Sequence, residues 1–201
     1  MVLRLSLSDY ETAIDTAEAA ISSGGLVVYP TDTLYGIGCD ALLRESVEKI
    51  HALKKREGRK PFSILVSDYT MLSHYCAVSK KQEDILHALL PGPYTFILPL
   101  KQKLPVTDSM EVGVRVPDHH LMREVSKRLQ LPIVTTSANL SGQKDAAEAS
   151  EIAPEIADGA DLFIDGGRCL YAQGSTVIDL IRMKVLRRGA IRKGDVFEWE
   201  K

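Results

Sequence analysis

The sequence has few cysteines and no long apolar segment. Its three cysteines, Cys39, Cys76 and Cys169, are odd in number and widely spaced, and they form no CxxC pair. This spacing indicates neither a disulfide framework nor a zinc site. No apolar run approaches the ~20 residues that a membrane-spanning helix needs. Residues 1–30 also lack the basic segment and long apolar core of a signal peptide. We therefore expect a cytoplasmic protein without a membrane segment.

Several common motifs of nucleotide-binding and catalytic proteins are missing as well. The chain contains no GxxxxGK[ST] phosphate-binding loop, no GxGxxG and no GxSxG. The net charge is -2 over 201 residues, so the field of the whole molecule does not favour nucleic acid. Any RNA binding would have to use a local basic patch.

The order of helical and strand-like segments predicts the fold class. The chain is 45% hydrophobic and 26% charged, which is ordinary for a globular protein. Helices and strands alternate in the first part of the chain, and strands cluster towards its end. We predict an α/β (α+β) fold with a twisted mixed sheet, flanking helices and one domain over residues 1–201. Two capping boxes are expected to start helices, one from Ser8 to Glu11 and one from Ser79 to Gln82.

Two polar clusters lie beside predicted strands. The first is Lys54-Lys55-Arg56 at a helix end, with Arg59 and Lys60 close behind, and the second is residues 135–142, directly after the apolar residues 131–134. The first cluster could be a solvated helix end, where cations favour the dipole, and the second a polar turn. However, strand ends that open into small polar residues are where open α/β sheets bind ligands. Fixed positive charge beside hydroxyl and amide groups therefore indicates a site for a phosphorylated ligand.

Two further segments have both a structural and a functional interpretation. Residues 30–36, with a Thr on each side of Asp32, form either a strand-exit turn or a site for a small amino acid or a magnesium-bound nucleotide. Arg115 lies in an apolar strand. Its side chain either extends to water from an edge strand or pairs with a carboxylate or phosphate, because an unpaired buried guanidinium is costly.

These segments, in their order along the chain, resemble the YrdC/TsaC family. The resemblance rests on residues 30–38 (PTDTLYGIG), Lys54-x-Arg56, 91–95 (PGPYT), 113–117 (GVRVP), Ser137-x-Asn139 with 140–142 (LSG), and 175–179 (STVID). Each segment alone is weak evidence, whereas the ordered set is specific and spans nearly the whole chain. The resemblance implies a YrdC-like fold with a concave, often positively charged ligand-binding surface.

The resemblance also implies an activity, that of an L-threonylcarbamoyladenylate synthase. Such enzymes condense L-threonine, bicarbonate or CO2, and ATP, with magnesium, and release pyrophosphate. The product supplies the threonylcarbamoyl group of adenosine 37 in tRNAs that read ANN codons, and a separate threonylcarbamoyl-transferase complex performs the transfer.

The family's site residues are carried over position by position. By resemblance, Lys54 and Arg56 hold the triphosphate and the leaving pyrophosphate, and Ser137 and Asn139 complete this catalytic cradle. The threonine site would comprise Thr33, Arg115 and Ser175. The remaining nucleotide-binding residues would be Lys60, Thr135 and Arg187. No residue would ligate a metal directly.

Three positions differ from the usual family pattern, namely Glu57, Lys60 and Leu65. Residues 62–68 (FSILVSD) are closer to the YciO branch. The alternative is therefore a non-catalytic YciO-like protein that binds tRNA, double-stranded RNA or the ribosome through its basic cluster. A third possibility keeps adenylate chemistry but uses another amino acid or carbamate as acceptor.

Overall fold

A computed structural model describes residues 2–55, 60–195 and 197. In this part of the chain ten strands form one sheet, and six α-helices pack beside it. The strands are β1 (Leu3–Ser6), β2 (Val27–Tyr29), β3 (Gly36–Gly38), β4 (Ser63–Leu65), β5 (Tyr94–Pro99), β6 (Glu111–Arg115), β7 (Ile133–Ser137), β8 (Leu162–Asp165), β9 (Thr176–Asp179) and β10 (Lys184–Arg187). The helices are α1 (Tyr10–Ser22), α2 (Arg44–Leu53), α3 (Tyr69–Tyr75), α4 (Lys80–Leu89), α5 (His120–Leu129) and α6 (Pro154–Asp158).

The sheet mixes parallel and antiparallel neighbours, as predicted. Its strand order is β1-β8-β2-β3-β7-β4-β6-β5-β9-β10. The parallel pairs are β1/β8, β2/β8, β4/β6 and β5/β9, and the remaining pairs are antiparallel. The central pairing places strands distant in sequence side by side, because β7 lies between β3 and β4. The functional segments that follow these strands are therefore brought together by the sheet.

A core lies on each face of the sheet. Ile64, Val114 and Val134 face the larger core, to which α2, α3, α4 and α6 contribute. Leu65 and Ile133 face a smaller core formed with α1 and α5. Because side chains alternate along a strand, Ser63 and Thr135 lie on the same face as this smaller core, and both border an open cavity.

The local predictions were partly wrong at element ends. The α1 helix begins after Asp9, which accepts a hydrogen bond from the Thr12 amide at 3.2 Å, so Ser8 is not its cap. The predicted capping box of α4 is confirmed, with Ser79 and Gln82 bonded reciprocally. The strands β1 and β3 were not predicted, because β1 is a short and largely exposed edge strand and β3 is mostly glycine.

Among the described helices, none has both the length and the apolar composition that crossing a membrane would require.

Candidate functional site

A cavity of about 440 Å³ opens on the sheet face that α1 and α5 only partly cover. Its size falls within the ordinary range of ligand pockets. It brings together six predicted site residues, which come from segments spread over the whole chain. These are Thr33, Arg115, Thr135, Ser137, Ser175 and Arg187.

Arg115 pairs with a buried carboxylate at the edge of this cavity. Its Nη2 donates to Asp32 Oδ1 at 3.1 Å and to Thr33 Oγ1 at 2.8 Å. The backbone amide of Asp118 donates to the other oxygen of Asp32 at 3.0 Å. Asp32 is only 1% exposed, so this carboxylate supports Arg115 and is not a free ligand for a cation. Arg115 Nε is buried and has no partner among the described residues, which leaves a donor for a bound anion.

Ser175 and Arg187 come from the C-terminal part of the sequence and also line this cavity. Arg187 Nη2 donates to the Ser175 carbonyl at 2.9 Å, and the Ser175 hydroxyl lies 2.8 Å from that of Thr95. The antiparallel pairing of β9 and β10 sets this contact, because it places Arg187 beside Val177. The second arginine of the cavity is thereby held by backbone and hydroxyl oxygens.

A second, more basic cavity of about 540 Å³ adjoins the first. Its lining residues come from the two polar clusters of the sequence and are Lys54, Lys55, Lys60, Thr136, Ser137, Asn139, Ser141 and Gly142. Thr136 and Ser137 line both cavities. The structure therefore places the basic cluster beside the polar segment at the end of β7.

Lys54 ties these two clusters together. It is 3% exposed, and its Nζ donates to the carbonyl of Ser137, to the carbonyl of Asn139 at 2.7 Å and to Asn139 Oδ1 at 3.1 Å. The backbone carbonyl of Lys54 in turn accepts from the Ser141 amide at 3.0 Å. An ammonium has three donors, and all three contact the loop here. Lys54 therefore both positions this loop and places a buried positive charge at the cavity.

Ser137 and Asn139 lie together at the end of β7. The Ser137 hydroxyl donates to Asn139 Oδ1 at 2.7 Å, and Asn139 Nδ2 donates to the Gln143 carbonyl at 2.6 Å. These bonds fix the side chains at the boundary of the two cavities.

Of the other predicted positions, Arg56 and the differing Glu57 lie outside the described residues, so no contact is assigned to either. Lys60 lines the second cavity. Leu65 packs in the core with α1 and α5, so its difference from the family pattern does not alter the lining of either cavity.

The sequence analysis missed several cavity residues. Tyr29 does not itself line the cavity, but it donates to Thr135 Oγ1 at 3.1 Å, and burial raises the pKa of this phenol to about 12, so it remains a neutral donor to a lining residue. A Cβ on Gly113 would lie 2.4 Å from Ser63 Oγ, so only glycine fits the cavity floor. A glycine inside a strand often marks such a close approach and was the available signal. Ser63 and Asp145 also line the cavity, and Asp145 lies in no recognisable motif.

The fold and the two adjoining cavities define an α/β protein with a basic site suited to phosphate. The family model of Sua5, YciO and YrdC, described as telomere recombination, matches residues 19–189. The chain belongs to this family.

Named relatives and a solved structure agree with this assignment. The chain is 34% identical over 194 residues to a Methanocaldococcus jannaschii protein provisionally named threonylcarbamoyl-AMP synthase, covering 96% of this chain and 91% of that protein. It is also 34% identical to the human threonylcarbamoyl-AMP synthase, covering 84% of this chain and 63% of the human protein. The crystal structure of P. abyssi Sua5 complexed with L-threonine superposes with a TM-score of 0.86 at 29% identity. That match covers 94% of this chain and 57% of the Sua5 chain. These relatives place the chain among enzymes of the nucleotidyltransferase type.

Proposed function

We propose that this protein is an L-threonylcarbamoyladenylate synthase, which makes threonylcarbamoyl-AMP and pyrophosphate from L-threonine, bicarbonate or CO2, and ATP. The observation that carries the proposal is the pair of adjoining cavities that share Thr136 and Ser137. One cavity contains guanidinium and hydroxyl groups and the other contains lysines. This division would suit a small amino acid in the first cavity and a nucleoside triphosphate beside it in the second.

The first cavity is the proposed threonine site. Arg115 Nε is a buried donor without a partner in the described part of the chain, and a substrate carboxylate would satisfy it. Thr33 and Ser175 contribute hydroxyl groups to the same lining. The similarity to a Sua5 protein whose structure was solved with L-threonine supports threonine as the amino acid.

The second cavity is the proposed nucleotide site. Lys54 and Lys60 supply positive charge for the phosphates, Ser137 and Asn139 supply polar groups at its boundary, and Arg56 would join them by family resemblance. Thr135 and Arg187 line the first cavity, and we assign them to the nucleotide side of its boundary.

The proposed chemistry requires positioning and charge stabilisation and no covalent nucleophile on the protein. The threonine amine adds to CO2 to give a carbamate, whose carboxylate attacks the α-phosphorus of ATP as pyrophosphate leaves. Negative charge then increases on phosphate oxygens, which fixed cations stabilise. Lys54 is held in place by three acceptors, so little reorganisation would be needed.

Magnesium would enter with ATP. Among the described residues, no group of three or more His, Cys, Asp or Glu side chains could hold a metal ion. This donor set fits magnesium bound mainly by phosphates and water, which is its usual state in nucleotide enzymes, and the ion would neutralise phosphate charge.

The proposed product would serve tRNA modification at adenosine 37. A threonylcarbamoyl-transferase complex would receive the adenylate, and the protein would act in the cytoplasm where tRNA is processed. The names of the relatives support the adenylate product.

Pyrophosphate release by the purified protein tests this proposal. The assay contains ATP, magnesium and bicarbonate with each of several amino acids. Release that requires both L-threonine and bicarbonate is the expected result. Release with a different amino acid would keep adenylate chemistry and reject threonine as substrate.

RNA binding without catalysis is the second candidate. It is favoured by the three lysines around the open second cavity, Lys54, Lys55 and Lys60. Salt-sensitive tRNA binding, together with no pyrophosphate release for any amino acid, would establish this alternative.

A further inference from the structure

Asp145 is a carboxylate in the first cavity that has no assigned task. It lines the cavity, yet it makes no hydrogen bond or ion pair with any residue in the described ranges. The other carboxylates nearby differ in this respect. Asp32 is bound by Arg115, and Glu111 accepts from both terminal nitrogens of Arg182 at 2.9 and 3.2 Å. Asp145 therefore remains available for a ligand.

The backbone around Asp145 is held firmly against the site. The carbonyl of Ala146 accepts from the Tyr35 amide at 2.9 Å, and the carbonyl of Ala147 accepts from the Cys169 amide at 2.8 Å. The Ala147 amide donates to Glu151 Oε2 at 2.7 Å. Ala146 is 1% exposed. These contacts fix the segment beside residues 34–36, which also line the cavity, so the carboxylate is presented from a rigid support.

The charges of the cavity match a zwitterion. Arg115 supplies a cationic group on the threonine side, whereas Asp145 supplies an unpaired carboxylate. An α-amino acid carries a carboxylate and an ammonium group and can satisfy both signs at once. A simple carboxylic acid would leave Asp145 unpaired in a partly enclosed space, which costs free energy.

We propose that Asp145 binds the amino group of the amino-acid substrate and so selects amino acids over hydroxy acids, in which a hydroxyl replaces the amine. This inference rests on the proposed function, because it assumes an amino acid in the first cavity. The carboxylate would hold the nitrogen that must add to CO2 in a fixed orientation, while Arg115 holds the other end of the substrate. Asp145 is thereby a specificity-determining residue, and no motif around it in the sequence indicated this role.

The test compares two ligands that differ at one group. Calorimetry measures the affinity of the full chain for L-threonine and for 2,3-dihydroxybutanoate, in which a hydroxyl replaces the amine. We expect Asp145→Asn to weaken L-threonine binding about tenfold or more, since a charge-assisted hydrogen bond is lost. Affinity for dihydroxybutanoate should stay within about twofold. Glu111→Gln is the matched control, because its carboxylate lines the same cavity but is bound by Arg182, and it should retain the preference for the amine.

Three results would overturn the inference. One is unchanged L-threonine affinity in Asp145→Asn, and another is equal weakening of both ligands, which would indicate a general disturbance of the cavity. The third is a changed magnesium requirement in the pyrophosphate assay with threonine affinity intact, which would place Asp145 near the metal.

Failure of the proposed function gives a different pattern. If the wild-type protein binds and uses another amino acid, the Asp145→Asn comparison is made with that amino acid and its hydroxy analogue. A wild-type protein that binds no amino acid would overturn both proposals.

Discussion

Lys54 is a single side chain with two tasks, and they can be separated by experiment. Its ammonium group contacts the carbonyls of Ser137 and Asn139 and the Asn139 amide oxygen. These acceptors lie 83 and 85 residues away in the sequence. Removing the ammonium would take a charged donor away from these partly buried oxygens and would also remove positive charge from the second cavity.

Lys54→Ala should lower both stability and turnover. We expect the free energy of unfolding to fall by about 1.5–3 kcal/mol, the range for hydrogen bonds to charged groups. Pyrophosphate release should fall at least about tenfold for the loss of one charged contact of that strength. Urea unfolding and the pyrophosphate assay, at a temperature where the variant is folded, measure the two effects.

Lys49→Ala is the matched control for this change. Lys49 lies on α2, which Lys54 caps at its C-terminus, and also donates to a backbone carbonyl, that of Gly24 at 2.9 Å, but it lines neither cavity. Its loss should leave pyrophosphate release nearly unchanged. A Lys54→Ala protein as active as Lys49→Ala would contradict the catalytic assignment.

Arg115 is likewise both structural and proposed to bind substrate. Arg115→Ala would leave Asp32 buried without its cation, and breaking a buried pair in this way costs about 3–5 kcal/mol of stability. Arg115→Lys keeps the charge but loses the fork of the guanidinium. We expect the lysine variant to raise the KM for L-threonine at least about tenfold with little change in the KM for ATP, since one charge-assisted contact is lost. Steady-state kinetics with each substrate varied in turn would show this, and an unaltered threonine KM would remove Arg115 from the threonine site.

At the scale of elements, the start of α5 is the least conventional helix end. His119 is the N-cap but makes no side-chain capping bond, and its Nδ1 is buried without a partner among the described residues. The amide of Asp118, the residue before this cap, donates to Asp32. Burial lowers the pKa of His119 and the nearby His120 acts in the same direction, while Asp32 and Asp118 oppose them.

The lowered pKa of His119 predicts a pH dependence of stability. As pH falls below about 6.5, the ordinary histidine value, the unfolded chain takes up a proton that the folded chain resists. Stability therefore falls with pH until the lower folded-state pKa is passed. The melting temperature of the wild type should drop more between pH 7 and pH 5 than that of His119→Asn, which keeps a good N-cap residue. Parallel melting curves over this pH range would refute the assignment.

Element boundaries show how far local pattern reaches. The capping box of Ser79 and Gln82 was predicted because both partners lie within one turn, and it is present. At α1 the neighbouring Asp9 makes the capping bond, so the prediction of Ser8 missed by one position. The glycine-rich β3 is a strand only because β2 and β7 flank it.

At the scale of the whole molecule, the two cavities are joined through β7 and should respond to separate ligands. A ligand that binds only the folded state stabilises it by about 2.7 kcal/mol at one hundred times its Kd. L-threonine and a non-hydrolysable ATP analogue with magnesium should therefore each raise the melting temperature of the wild type.

The Arg115→Lys variant makes this prediction specific. It should retain the shift caused by the nucleotide analogue and lose most of the shift caused by L-threonine. Thermal unfolding with each ligand alone provides the measurement, with glycine as the control amino acid. Equal loss of both shifts would mean that the two sites are not separable.

The sequence by itself determined the types of chemistry available and most of the elements. A dense basic cluster, a hydroxyl and amide segment after a strand, and an arginine in an apolar strand are local features, because they depend on residue type and short spacing. The mixed sheet also follows from the order of helical and strand-like segments. These predictions depend on interactions that reach only a few residues along the chain.

Only the tertiary structure decided which groups are paired and which remain available. Asp32 meets Arg115 across 83 residues, and Lys54 meets the loop after β7 only because β4 and β7 are neighbours and α2 ends beside them. Asp145 is marked by the absence of a partner in the described structure, although every other carboxylate named at the cavity has one. Such pairing is set by long-range packing of strands and loops, which no local spacing specifies.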